Sequence, residues 1–346
     1  MSKGLIVKEC IGIDISKSTF VCVLAQKSCS GDIYFSRSTS FSNTKTGFNQ
    51  LLKWYGKYTT TDKVLFLMEA TGVYYESLAY HLYKLKIPVV VILPNKAKYC
   101  TKSLNVKTKT EGVYSKVLSQ FVLERTHDLW EPPLPILKTL REYTRLLSSL
   151  KRQKQVIENQ REAYSNAEQT SKFIMKTNQS MIRYFAKQIK ACEEEIRELI
   201  NDNEWLNNKV EKIMTIKGVG LLTVATIIGE TQGFTMIKNR KQLTGYAGYD
   251  VVQNQSGTSL NGRTRISKKG NSNIRSALHM PSFVYIKYNE NVKNCYERIN
   301  EQKLSKMIGL IAMQRKLLTL IYTLWKTDSV YVEDFEKKNN NKIVVI

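Results

Sequence analysis

Four positions in this sequence have the placing of a carboxylate metal site, and three of them have the residue type. Asp14 closes the apolar run CIGID and Glu69 closes LFLME. Glu111 and Tyr114 stand three apart in KTEGVYSKVLSQF, a spacing that sets both on one face at the start of a helix. Two Mg2+ ions roughly 4 Å apart need three or four shared carboxylates to offset their charge and clamp the attacking and leaving oxygens. Here one of the four is a phenol. With an ordinary pKa of about 10 it is neutral at pH 7 and a poor Mg2+ ligand. Its ring also fills space that a carboxylate and an ion would share. Glu111 is within reach of ligand chemistry, but its arm is one methylene longer than that of aspartate. Asp62, Glu76, Glu124 and Asp128 lie nearby in sequence. Taken singly, Asp14 or Glu69 reads as an acid at a strand end; the set means more than its members.

The elements that must position these residues follow from periodicity. Residues 5–13, 19–25 and 33–42 read as three strands in succession, and 45–58 as an amphipathic helix. KVLFLMEA is then a buried strand, GVYYESLAYHLYKL a helix and PVVVILP another buried strand. Strands alternating with helices predict an α/β domain to about residue 125. Three successive strands followed by alternation is the order of an RNase H-like fold, though many α/β folds begin this way. In an RNase H-like sheet the first and fourth strands are neighbours, which would bring Asp14 and Glu69 to one edge.

HDLWEPPLP holds three of the six prolines and marks the exit from this domain. Between Ile136 and Lys217 there is neither Pro nor Gly, so two long helices are expected. Leu140, Leu147 and Val156 stripe one; Ile182, Phe185, Ile189, Ile196 and Leu199 stripe the other. Narrow apolar stripes surrounded by charge predict a projecting antiparallel coiled coil that pairs the protein, over a hairpin packed on its own chain. Gly218 and Gly220 in IKGVGLLTVATIIGE form a tight turn before a helix. That is the pattern of a helix–hairpin–helix, whose amides can cradle a phosphate, and equally of a plain interhelical turn. The expected divisions are residues 1–130, a coiled-coil linker over 131–212, a mostly helical C-terminal domain over 213–330 and a tail over 331–346.

Charge names the partner class. Lys and Arg number 53 against 30 Asp and Glu, a net charge of +23, and 42% of residues are hydrophobic. Such an excess points to a polyanion, since each neutralised phosphate releases counterions. Residues 231–275 concentrate it, with Lys238, Arg240, Lys241, Arg263, Arg265, Lys268, Lys269 and Arg275 against the single acid Asp250. The six scattered cysteines include no CxxC pair, which argues against a zinc site and for a reducing compartment. MSKGLIVKEC has no signal-peptide core and VVVIL is too short to span a bilayer, so no membrane role and a cytoplasmic location are expected.

GIDISKSTF, LMEATGVYYESLAYHL, KTEGVYSKVLSQ, GVGLLTVATIIGE, QLTGYAGYDVVQNQSGTSLNGRTRISKKGNSNIRSAL and MQRKLLTLIYTLW stand in one order along the chain. Together they resemble the DEDD transposases of the insertion-sequence-110 group, which include the Piv/MooV DNA invertases and the RNA-guided bridge recombinases. The resemblance covers roughly residues 8–326, and the QSG to IRSAL run is its most specific part.

The resemblance implies a RuvC-like (RNase H-like) N-terminal domain, a coiled coil and a C-terminal transposase domain carrying a nucleophilic serine. By position Asp14 and Glu69 match the first two acidic ligands. The third and fourth, aspartates in the family, fall on Glu111 and Tyr114, so Asp14, Glu69 and Glu111 remain as metal ligands. The nucleophile falls on Ser256, with Ser259 the weaker choice. Nucleic-acid contacts are expected at Gly218, Gly220, Arg263, Arg265, Lys268, Lys269 and Arg275. The implied cofactors are Mg2+, in a weak or single-ion site here, and a structured noncoding guide RNA. DNA, that RNA and a homodimer or homotetramer are the implied partners. Serine is a weak nucleophile at neutral pH and needs a base or a metal. No histidine is near Ser256 in sequence, which makes a metal site from another subunit a reasonable activator. Two expectations result: an RNA-guided DNA-binding protein whose strand exchange is weakened or lost, and an active transposase or invertase that tolerates the altered site.

Overall fold

The computed structural model describes residues 6–333, apart from 60–63, 106, 108, 109, 258, 259 and 304, and leaves out the side chains of 95, 260, 261 and 263. The chain divides into two compact units, Met1–Pro132 and Pro133–Ile346. The acid Asp62, the serine Ser259 and the tail beyond residue 333 therefore lie outside the described residues.

In the first unit a mixed sheet is built from β1 (Ile6–Ile15), β2 (Thr19–Ser28), β3 (Ile33–Phe35), β4 (Thr39–Ser42), β5 (Leu65–Glu69) and β6 (Val89–Ile92). The strand order is β3-β2-β1-β5-β6, with β4 also paired to β2. β1 and β2 run antiparallel, while β1–β5 and β5–β6 are parallel. The single third strand expected over 33–42 is two short ones. They are separated at Ser36, whose hydroxyl accepts from the Leu24 amide and so holds the break on β2. Helices α1 (Lys45–Tyr55) and α2 (Glu76–Lys84) cover one face of the sheet through Ile11, Ile13, Phe66 and Met68. Helices α3 (Pro94–Ser103) and α4 (Glu111–Glu124) cover the other through Cys10, Leu67 and Val90.

Alternation along the strands then sets the acids. Since Cys10 and Leu67 face α4, so do Gly12, Asp14 and Glu69, two residues apart each time. Gly12 is where α4 rests on the sheet: a Cβ there would lie 2.2 Å from the Ser115 carbonyl oxygen and 2.5 Å from the Ser119 amide. The small buried Ser115 fits against it and its hydroxyl donates to the Val21 carbonyl at 2.8 Å.

Among the described residues the second unit is helical apart from one ribbon. It comprises α5 (Pro135–Ser165), α6 (Lys172–Asn201), α7 (Glu204–Met214), α8 (Leu221–Thr231), α9 (Arg240–Ala247), β7 (Val251–Ser256), β8 (Leu260–Ile266), α10 (Ser272–Tyr288), α11 (Glu290–Asn300) and α12 (Met307–Thr327). Helices α5 and α6 form a hairpin, and its inner half is part of this unit's core: Leu140, Leu147, Cys192, Ile196 and Ile200 are buried with α8 and α12. Further out Val156 is 49% exposed, so the stripe read from sequence is a core contact at one end and a surface at the other. α12 is long and apolar enough by composition to cross a membrane, but half of that apolar stretch is buried inside the unit, as in a core helix.

Candidate active site and nucleic-acid interface

The last paired positions of the two central strands are Ile13 and Met68. Asp14 and Glu69 come one residue later on both, side by side on the α4 face. α4 begins at Thr110, whose hydroxyl accepts from the Val113 amide as an N-cap. One turn in, Tyr114 lies over the strand ends and its phenolic hydroxyl donates to Glu69 Oε2. Burial, the bond to Glu69 and the nearby charges of Glu69 and Asp14 push the phenol far above its ordinary range, so it is a fixed donor. Glu111, at the first position of α4, is exposed to solvent. Its helical spacing from Tyr114 is as expected, but only the tyrosine is turned onto the strand-end acids.

This donor set does not fit a two-ion site. Among the described residues, no three His, Cys, Asp or Glu side chains converge to hold a metal ion. The place beside Glu69 is taken by a hydroxyl that donates to the carboxylate, where a ligand would have to offer a lone pair to a cation. Glu76, Glu124 and Asp128 do not complete the set.

In the second unit part of the basic segment is a β-ribbon. β7 and β8 pair from Val251–Ile266 at the foot to Ser256–Leu260 at the far end. Ser256 therefore stands at the tip, roughly 17 Å from the foot at a strand rise of ~3.4 Å per residue. Every β7 residue is exposed. Polar residues on both ribbon faces remove the alternation by which strands are read, and that is why no strand is read from the sequence here.

The ribbon's feet are fixed by a network that the sequence reading missed. Glu230, at the end of apolar α8, is 1% exposed. It accepts from Arg145 Nε at 2.7 Å and Nη2 at 2.8 Å, from Asn271 Nδ2 at 2.6 Å and from Asn273 Nδ2 at 2.7 Å. Its backbone oxygen accepts from the Tyr246 hydroxyl at 2.8 Å. Burial alone would raise the Glu230 carboxyl, but the bonds from Arg145, Asn271 and Asn273 win and hold it below the usual range. Asn271 in turn caps α10, so the carboxylate and backbone oxygen of one residue tie together α5, α8, the segment before β7 and the segment after β8. The only signal in the sequence is a glutamate closing the most apolar helix.

The expected nucleic-acid residues fall into two groups. Arg265, Lys268 and Lys269 are exposed on β8 and just beyond it, and the side chain of Arg263 is outside the description. Arg275 instead turns inward, where Nη1 donates to the carbonyls of Ala247, Gly270 and Asn271 at 2.7–3.3 Å. It is a bracket for the ribbon's feet, because three carbonyl partners leave this nitrogen no role toward phosphate. Asp250, the lone acid, accepts from the Ser267 hydroxyl across the feet at 2.5 Å. Gly218 has φ +94, and a Cβ there would come within 2.6 Å of Val284, so its need for glycine is met by packing on α10. Gly220 is the N-cap of α8 and supplies no side-chain hydrogen bond to that helix.

Two family models match the chain: one described as Transposase, of the DEDD IS110 type, over residues 11–164, and one described as Transposase IS116/IS110/IS902 family over 210–297. Between them they cover more than half of it, and the chain belongs to the IS110 family of DEDD transposases. It is 28% identical over 326 residues to the pilin gene-inverting protein of Moraxella bovis, covering 92% of this chain and 95% of that one. The pilin gene-inverting protein of Moraxella lacunata is also 28% identical, over 329 residues. Among solved structures, a Ppx/GppA family member from Aquifex aeolicus covers 94% of each chain at 11% identity, but its TM-score of 0.22 is too low to inform the fold. The family implies action on DNA and a divalent metal such as Mg2+.

Proposed function

We propose that this chain is an RNA-guided DNA-binding member of the family whose strand-exchange activity is weakened or lost. The phenol of Tyr114 on Glu69 carries the reading, because a group that adds no carboxylate stands beside the pair of acids on which the family's metal chemistry would rest. An RNase H-like, RuvC-like identity for the first unit is supported by the antiparallel β3-β2-β1 arrangement followed by parallel β5 and β6. Guidance by a structured noncoding RNA is the family's mode: base pairing supplies sequence while the protein reads shape and backbone. The net charge of +23 suits both nucleic acids. Ser256 is the nucleophile's position, and its place at the ribbon tip suits delivery to a site formed elsewhere. Pairing of chains as a dimer or tetramer is supported by Val156, Phe173 and Tyr184, 49%, 76% and 60% exposed on the hairpin. The work of a DNA-acting protein of this family lies in the cytoplasm.

The competing reading is an active serine- and Mg2+-dependent recombinase that inverts or moves a DNA segment, as the Moraxella relatives' names describe for them. It is favoured by the adjacency of Asp14 and Glu69, which survives the substitutions. A recombination assay in cells decides, with the gene's flanking noncoding DNA supplied. Wild type is compared with Glu111→Asp/Tyr114→Asp, and Ser256→Ala is the blank. New junctions only in the double variant are expected. Serine-dependent junctions from wild type would establish the competing reading.

A further inference from the structure

We infer that the β7–β8 ribbon enters the major groove of duplex DNA as a two-stranded wedge. The inference rests on the reading that the chain binds DNA and adds where and how the duplex is held. An isolated two-stranded ribbon is marginal in water, and among the described residues of this one only Ile266, at its foot, packs on the core of its unit. It is exposed along all of β7, so a partner completes it. Charge selects that partner: residues 251–270 contain four basic residues and no acid. Val251 and Val252 are 52% and 40% exposed. As successive strand residues they point to opposite faces, so each face of the ribbon's foot carries an exposed apolar side chain. Nearer the tip Gln253 and Asn254 are exposed, and such amides pair with adenine edges in the major groove.

Groove dimensions choose among nucleic acids. The B-form major groove, about 12 Å wide, admits a two-stranded ribbon, whereas the minor groove at about 6 Å does not. The A-form RNA major groove is deep and narrow and closed to side chains. The ribbon is also aimed. Gly270 approaches so close to the other foot that a Cβ would lie 2.3 Å from the Gly248 amide, and Arg275 and Glu230 clamp the same segments. A fixed base spends little entropy on binding. Lys268 and Lys269, just past the foot, are then at the height of the flanking phosphates.

The test measures binding of the full-length chain to three probes of one sequence. These are a 30-bp DNA duplex, the same duplex with every cytosine replaced by glucosylated hydroxymethylcytosine to fill the major groove, and the matching RNA duplex. Wild type should bind the filled duplex and the RNA duplex on the order of tenfold more weakly than plain DNA, the size of one lost groove contact. Gln253→Ala/Asn254→Ala, both exposed, should bind plain DNA more weakly and lose most of the difference between the two DNA probes. Equal affinity of wild type for plain and filled DNA would overturn the ribbon's role while leaving DNA binding intact. Binding to none of the probes would overturn both.

Discussion

Tyr114 donates its hydroxyl hydrogen to the Glu69 carboxylate, across the gap between helix α4 and the end of strand β5. A ligand in that position would have to offer a lone pair to a cation; the phenol gives a hydrogen to the carboxylate instead. Its burial and the two acids beside it raise the cost of ionising it, so raising pH through the usual range of a phenol does not turn it into a ligand. Tyr114→Phe removes the bond but keeps the ring, and should leave metal affinity where it is, since no lone pair is added. A titration calorimetry experiment that finds tight Mg2+ binding in Tyr114→Phe would show that the hydrogen bond alone, and not the missing carboxylate, closes the site.

Glu230 makes stability depend on acid. Its folded carboxyl is held below the usual range, so the unfolded chain takes up its proton first as pH falls. The contribution is fully present above the unfolded value of about 4.3 and is lost as pH drops through the lower, folded one. Glu230→Gln should therefore be less stable near neutrality and show a flatter acid limb in denaturant titrations at several pH values. Glu230→Ala, which leaves the amides of Asn271 and Asn273 without an acceptor, should cost about 2–4 kcal/mol. An unchanged acid limb in Glu230→Gln would remove Glu230 from the account.

Gly12 tolerates nothing larger. The 2.2 Å approach of Ser115 is to backbone, so Gly12→Ala must push α4 off the sheet. About 3 kcal/mol of lost stability is expected, at the upper end of overpacking costs, with Tyr114 moved away from Glu69. Thermal unfolding of the first unit, followed by near-ultraviolet circular dichroism at tyrosine, reports both.

The two kinds of basic residue should separate in a salt series. Lys268→Ala and Lys269→Ala should each reduce the salt slope of DNA binding by about 1 without changing the melting temperature. Arg275→Lys should lower the melting temperature, because one ammonium cannot reproduce the three carbonyl bonds to Ala247, Gly270 and Asn271. The same behaviour in all three variants would put Arg275 back among the phosphate contacts.

Much of this is written locally in the chain. Strand runs ending in Asp14 and Glu69 are legible because burial on both faces makes them continuous, and a helix after Thr110 is legible from its cap and its apolar spacing. What escapes is decided by direction. Sequence shows that Arg275 is cationic, but only the fold turns it onto Ala247. It shows an apolar stripe through Leu140, Leu147 and Val156, but the core of the unit, not the stripe, decides where burial stops. The ribbon around Ser256 escapes because a strand solvated on both faces has no period to read. Glu230 escapes because its four donors come from segments 41 to 85 residues away.

The central claim is that Tyr114, together with the exposed Glu111, leaves the strand-end acids without a working metal site. Direct Mn2+ titration, read by the loss of the free-ion electron paramagnetic resonance signal, tests it without DNA, RNA or recombination. Wild type should show no saturable binding dependent on Asp14, and Glu111→Asp/Tyr114→Asp should gain it and lose it again when Asp14→Ala is added. Saturable, Asp14-dependent Mn2+ binding by the wild-type chain would contradict the account.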